Sequence, residues 1–300
     1  MSLTKEDLLL IGGSDAAAIA GVSRYKTPLD IFRRIVEGHT TETTRPQRRG
    51  QLLEEPIRQM YREETGAKLL GPLSLRGTFT RASLDDHTED RVVEIKSANI
   101  RQAHEWGELG TDEVPTDYLV QVQWYMRHAR KEMADLVVLL GGDELRVYPI
   151  RADVEMQEML WEAAERFWKD HVLPKRPPEI DDTQACHDWL TARFPRDVGP
   201  VVPSTPDAEL WAHRLFTARA NLDEAEALER EARNHLQALI GDAAGMVGSG
   251  WRISWKGTKP RTSVDWEAVA LAAGASMDLI AQHTTTKPGP RVFRCTGPKE

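Results

Sequence analysis

Cysteine is scarce in this chain. The only two of its 300 residues, Cys186 and Cys295, stand far apart. That is too few for a disulfide scaffold or a four-cysteine metal or iron–sulfur centre, and it suits a reducing compartment. Long apolar runs are missing too. Nothing approaches the roughly 20 residues that span a bilayer, and the N-terminal LLLIGG is too short for the core of a secretory signal. A cytoplasmic protein with no membrane segment is expected. Positive charge is also not in excess. A formal net charge of −8 argues against coating nucleic acid through bulk charge, while leaving room for one local basic groove. The nine histidines form no H-x-x-H or H-E-x-x-H cluster, and there is no G-x-x-x-x-G-K-[ST] loop. Zinc hydrolases and ATP motors built on those motifs are disfavoured. No internal repeat or low-complexity tract occurs.

The composition that remains, 40% hydrophobic and 29% charged, is ordinary for a globular protein. The length fits one large domain with a smaller one. Helical patterns cover GSDAAAIAGVS, with Ser14 or Asp15 as the cap, then PLDIFRRIVEG, ended by Gly38, and RGQLLEEPIRQMYREETG, closed by Gly66. Strand patterns follow in GPLSLRGTFTRASLD and in RVVEIKSA, around the polar turn DHTED. An amphipathic VPTDYLVQVQWYMRHAR precedes two strands joined at Gly141-Gly142, and a helix over 153–172 comes next. This order predicts a mixed α/β core with a central sheet. Proline-rich LPKRPPEIDD marks a boundary. The expected organisation is a first domain over 1–178, a linker over 179–206 and a smaller α+β module over 207–300. That module would hold a long helix with heptad-like spacing, a strand pair, a short helix in VDWEAVALAAG and a strand-like RVFRCTG. Trp251 and Trp255 in the strand pair are candidates for stacking on bases or, more ordinarily, for packing.

The stretch SLDDHTEDRVVEIK (83–96) concentrates the chemistry. Strand period two puts Glu94 and Lys96 on one face and Ile95 on the other. Magnesium takes about six oxygen ligands, usually one or two of them carboxylates and the rest water and substrate phosphate. Carboxylates converging there would hold Mg²⁺ against a phosphodiester, with the Ile95 carbonyl as a further donor and Lys96 offsetting charge on phosphorus oxygens. An aspartate at Asp85 or Asp86 would reach the same point from the neighbouring strand. Taken alone, E-x-K on a strand is usually an ordinary solvated face.

The wider pattern is more specific. IGGSDAAAIAGVSRYKTPLDIF, RGQLLEEPIRQMYREETG, RASLDDHTEDRVVEIKS, Trp106 and VPTDYLVQVQWYM together resemble the YqaJ-type viral recombinase family, related to lambda exonuclease within the PD-(D/E)XK nuclease superfamily. The resemblance covers roughly residues 10–175. It implies a restriction-endonuclease-like core, a central mixed sheet flanked by helices. It implies Mg²⁺-dependent 5′→3′ exonuclease action on double-stranded DNA ends, with Mn²⁺ as the substitute cation. It also implies a ring-shaped homo-oligomer such as a trimer, working with a single-strand annealing protein.

By the same resemblance Asp85, Glu94 and the Ile95 carbonyl would ligate metal, Glu54 would support it and Lys96 would position water. Gln121 would lie beside the scissile region or touch the terminal phosphate with Ser14 and Ser83. Helical spacing agrees on Glu54, which shares a face with Ile57 and Tyr61, whereas Glu55 shares one with Arg58. A helix starting at Pro56 would leave Glu54 in its first turn. Two departures stand out. Ser83-Leu84-Asp85-Asp86 replaces the family's Ser-Pro-Asp-Gly, so either aspartate could meet the metal, position favouring Asp85. Asp7 stands where the family tends to carry an arginine, with Lys5 and Arg24 as substitutes for a 5′-phosphate contact. The rival readings are an endonuclease of the same superfamily and a DNA-binding recombination protein whose site has decayed.

Overall fold

The computed structural model describes residues 4–40, 42–257 and 266–283. They divide into two compact units, the first ending at Ala192 and the second beginning at Arg193. Residues 291–297, read above as a strand, and Cys295 lie outside the described residues. No described helix is long and apolar enough to cross a membrane.

The first unit opens with α1 (Gly13–Ile19), α2 (Pro28–Val36) and α3 (Arg45–Thr65). Thr27 caps α2 by accepting from the Asp30 N–H, Pro28 occupies the first turn, and Gly66 ends α3 at φ 69°, where a Cβ would be strained. Because α3 begins at Arg45 and runs through Pro56, Glu54 sits in the helix interior and not in a first turn. Pro56 offers no N–H to the Leu52 carbonyl.

The strand-like stretch GPLSLRGTFTRASLD folds as a two-stranded ribbon of β1 (Leu73–Arg76) and β2 (Arg81–Leu84). The chain breaks at Asp85 and resumes as the two-residue β3 (Asp86–His87). β3 opens a separate four-stranded sheet with β4 (Arg91–Ala98), β5 (Met133–Leu140) and β6 (Glu144–Arg151), in that order. Only β4 and β5 run parallel, and α4 (Thr116–Ala129) lies between them in the chain. The mixed α/β core expected from the sequence is present.

β4 alternates between two cores. Val92 joins the main apolar cluster with Val120 and Trp124 of α4, while Val93 and Ile95 join Ile57 and Tyr61 of α3. Glu94 and Lys96 are therefore aimed at α4. After α5 (Val154–Phe167) and one π turn comes α6 (Gln184–Arg193). The stretch read as a linker thus carries a helix, because Cys186 and Trp189 bury themselves in the main cluster and Trp189 donates to Glu37 at 3.2 Å.

His128 on α4 donates from Nδ1 to the Trp124 carbonyl (2.8 Å), and its Nε2 accepts from the buried Thr80 hydroxyl (3.0 Å). Burial holds this imidazole below its ordinary range. As pH falls, the unfolded chain takes up the proton first, so stability present above about 6.5 is lost below it. Urea midpoints between pH 8 and 5 should show that loss, and His128→Gln should flatten it.

The second unit contains α7 (Pro206–Ile240), the strand pair β7 (Gly245–Gly248) and β8 (Trp251–Ser254), then α8 (Trp266–Ala272) and α9 (Met277–Gln282). Trp251 and Trp255 are both about half exposed.

Candidate active site

The break between β2 and β3 separates the two adjacent aspartates. Asp86 pairs with Val93 across the sheet. Its buried carboxylate accepts the Gly71 and His87 N–H groups (both 2.7 Å) and forms an ion pair with the Arg58 guanidinium, whose Nε stands 2.9 Å from Oδ2. All of that is structural. Asp85 lies outside the ladder, with Oδ2 accepting the Ile95 N–H at 2.9 Å, and its charge acts on both Glu94 and Glu54. Of the two, Asp85 is the one that faces the glutamates.

Glu94, Lys96 and Gln121 form one network. Lys96 Nζ donates to Glu94 Oε1 (2.5 Å) and to Gln121 Oε1 (3.1 Å). Gln121 Nε2 donates to Glu94 Oε1 and to the Tyr125 hydroxyl, both at 2.8 Å. The Lys96 ammonium also stands 5.0 Å from the centre of the Tyr118 ring, a cation–π distance. Gln123, the other glutamine of Q-V-Q, is bound to the Arg151 carbonyl and the Asp153 N–H and serves the fold.

The site holds more negative than positive charge. Burial, then Asp85, pushes the Glu94 carboxyl up to about 8. Burial and Asp85 also raise Glu54. Burial works against the Lys96 charge, but Glu94 and Asp85 outweigh it and raise that pKa. One ammonium stays charged among three carboxylates, and Glu94 retains a proton near neutrality unless another cation arrives. Glu94 Oε2 is buried with no hydrogen-bond partner. Among the described residues no three His, Cys, Asp or Glu side chains group closely enough to hold a metal by themselves. Two carboxylates, one of them with an orphaned oxygen, and a backbone carbonyl nevertheless suit a hard divalent cation completed by water and phosphate.

Spacing along α3 misses one central residue. Arg58 shares the Glu55 face, yet it is only 8% exposed. It donates to Glu54 and to the Asp85 carbonyl (2.9 and 2.8 Å) and pairs with Glu55 and Asp86. It therefore ties the helix carboxylate to the strand break. Tyr125, four residues after Gln121 on the same face of α4 as helical spacing places it, is buried against Gln121.

The other candidates lie apart from this network. Ser14 is not the helix cap: Gly12 is, and its N–H donates to Asp15 Oδ2 at 2.8 Å. Ser14 Oγ accepts from Lys26 (3.1 Å), and Ser83 Oγ accepts from Arg81 (3.4 Å). Lys26, Arg34 and Arg81 surround the buried Asp15, which leaves a local excess of positive charge. Arg24 is held by Asp117 (3.1 Å) and Glu105. Asp7 accepts from Thr4 and pairs with Arg76 at 2.8 Å, so it braces its own turn. Lys5 is exposed.

The two glycines ahead of Ser14 differ in tolerance. A Cβ on Gly13 would come within 2.7 Å of the buried Tyr125 ring and 3.0 Å of Gln121. On Gly12 it would meet the Arg81 guanidinium at 2.9 Å, the end of a longer side chain. Gly13→Ala should therefore cost about 1–3 kcal/mol of stability and Gly12→Ala distinctly less, as urea denaturation would show.

Residues 6–132 match the profile of the YqaJ-like viral recombinase domain. The YqaJ protein of Bacillus subtilis (strain 168) is 25% identical over 258 residues, covering 82% of this chain and 80% of that protein. Among solved structures, an alkaline exonuclease from Laribacter hongkongensis is similar at 18% identity and a TM-score of 0.46, over 55% of this chain and 89% of that one. A phage-related exonuclease from Haemophilus somnus is similar at 14% identity and a TM-score of 0.41, over 55% and 96% respectively.

Proposed function

We propose that the YqaJ-like domain is a Mg²⁺-dependent deoxyribonuclease that degrades linear double-stranded DNA from its ends in the 5′→3′ direction, in phage-type recombination. The observation carrying this reading is the carboxylate excess of Asp85, Glu94 and Glu54 around one lysine, with a buried Glu94 oxygen left unpaired. Asp85, Glu94 and the Ile95 carbonyl would hold the cation, with Glu54 behind them. When bound, such a cation polarises a phosphodiester and makes a water more acidic.

The chain's own groups do the rest. Gln121 fixes the Lys96 ammonium and Glu94 relative to each other. Lys96, held charged by its carboxylate neighbours, orients the attacking water and offsets charge growing on the phosphoryl oxygens. Arg58 keeps Asp85 and Glu54 in register. Ser14 and Ser83, with Lys26 and Arg81 beside them, supply a place for a terminal phosphate. With Asp7 at the usual arginine position and Arg24 engaged by two acids, that contact rests on Lys26 and Arg81. Lys26→Ala should lower the preference for 5′-phosphorylated ends.

End-labelled linear duplexes test polarity. Nucleotides should leave from the 5′ label first, with closed circles left intact. Nicked circles would favour an endonuclease of the same superfamily.

A further inference from the structure

α7 is 35 residues long, about 52 Å, yet among the described residues Ile240 is the only one it buries. Five of its large apolar residues, Trp211, Leu215, Leu222, Leu236 and Leu239, share one stripe, while Leu210, Phe216 and Leu228 lie off it. Ala208, Leu215, Leu222 and Leu236 fall on one heptad position, with Glu229 between them, and Trp211, Ala218, Ala225, Ala232 and Leu239 fall on its partner position. Trp211 is 62% exposed, Leu222 57% and Leu239 71%, with Leu215 and Leu236 partly exposed, so this seam is open to solvent at both ends and its centre. Soluble proteins seldom leave so long an apolar stripe uncovered.

We propose that the seam pairs with the same helix of a second copy, antiparallel, as a two-stranded coiled coil. Sequence complementarity selects the direction. In a parallel pair Glu229 would face its twin inside the seam, and Arg214 would oppose Arg219 of the other helix along the flank, both repulsive. The Ala–Ala layers at 218, 225 and 232, alternating with Leu222 and Glu229, would also leave the seam underpacked. An antiparallel pair centred between Leu222 and Ala225 sets Leu222 against Ala225, Leu215 against Ala232 and Leu239 against Ala208. Large then meets small in each of these layers, and Trp211 closes on Leu236 near each end. Glu229 falls beside Ala218 instead of its own copy. Along the flank Arg219 meets Glu226 twice, once on each side of the two-fold axis.

The test uses the full chain. Sedimentation equilibrium should show self-association that Leu222→Glu weakens at least tenfold, while Ala227→Glu, on the opposite face, leaves it unchanged. Spin labels on Asn221→Cys and, separately, Asp207→Cys, each in a Cys295→Ser background, read the direction. Flanking the centre, labels at 221 should lie within about 15 Å of each other. Labels at 207 should lie roughly 50 Å apart. Close pairs at both positions would mean a parallel coil and overturn the proposal. No close pair at 221 would overturn it equally, because the seam would then belong to another occupant.

Discussion

Glu94→Gln is expected to leave the fold intact and to lower Mg²⁺-dependent DNA hydrolysis by about 10³-fold or more. The carboxamide is nearly isosteric, and its oxygen still accepts from Lys96 and Gln121, so the hydrogen bonds at 2.5 and 2.8 Å have a counterpart. What disappears is the second oxygen, buried without a partner, and with it one negative charge of the cation site. Folding stability should stay within about 1 kcal/mol of the wild type. A calorimetric Mg²⁺ titration of the same variant should show binding greatly weakened. If the variant keeps wild-type hydrolysis, Glu94 is a structural acid and the assignment of the metal site is wrong.

Arg58→Met is expected to have the largest effect on stability. Arg58 pairs at 2.9 Å with Asp86, which is 1% exposed. Taking away one partner of a buried ion pair leaves a carboxylate without compensation, which typically costs about 3–5 kcal/mol. The Gly71 and His87 N–H groups soften that loss without neutralising the charge. Adding Asp86→Asn to Arg58→Met should therefore recover a good part of it. Glu55→Gln should cost little, because Glu55 is largely exposed and surface pairs contribute up to about 1 kcal/mol. Equal losses for Arg58→Met with and without Asp86→Asn would show that the two are not coupled. Urea denaturation of the four proteins decides it.

Much of this site was legible because its signals are local. The alternation of RVVEIKSA fixes which β4 residues share a face, and the same periodicity puts Gln121 and Tyr125 together on α4. The spacing of Glu54, Ile57 and Tyr61 turned the right face of α3 inward. Other features depend on partners far along the chain. Arg58 looks solvent-facing beside Glu55, and only the strand break 27 residues later supplies the Asp85 carbonyl that draws it inward. The choice between Asp85 and Asp86 turns on where one ribbon ends and another sheet begins, which alternation across that stretch does not mark. The helix at Gln184–Arg193 hid between prolines, since two buried residues, Cys186 and Trp189, hold it in place. Asp7 could not be read as a brace from its own neighbourhood, because Arg76 comes from β1.

The central claim is that a cation held by Asp85 and Glu94, with Lys96 beside it, cuts DNA. It is tested most directly by incubating linear duplex DNA with the wild-type protein and with Lys96→Ala, in Mg²⁺ and in EDTA. The wild type should degrade the duplex in Mg²⁺ alone, with the variant slower by about 10²-fold or more at an unchanged circular dichroism spectrum. Degradation that persists in EDTA, or that survives Lys96→Ala undiminished, would contradict it. So would an intact substrate under every condition.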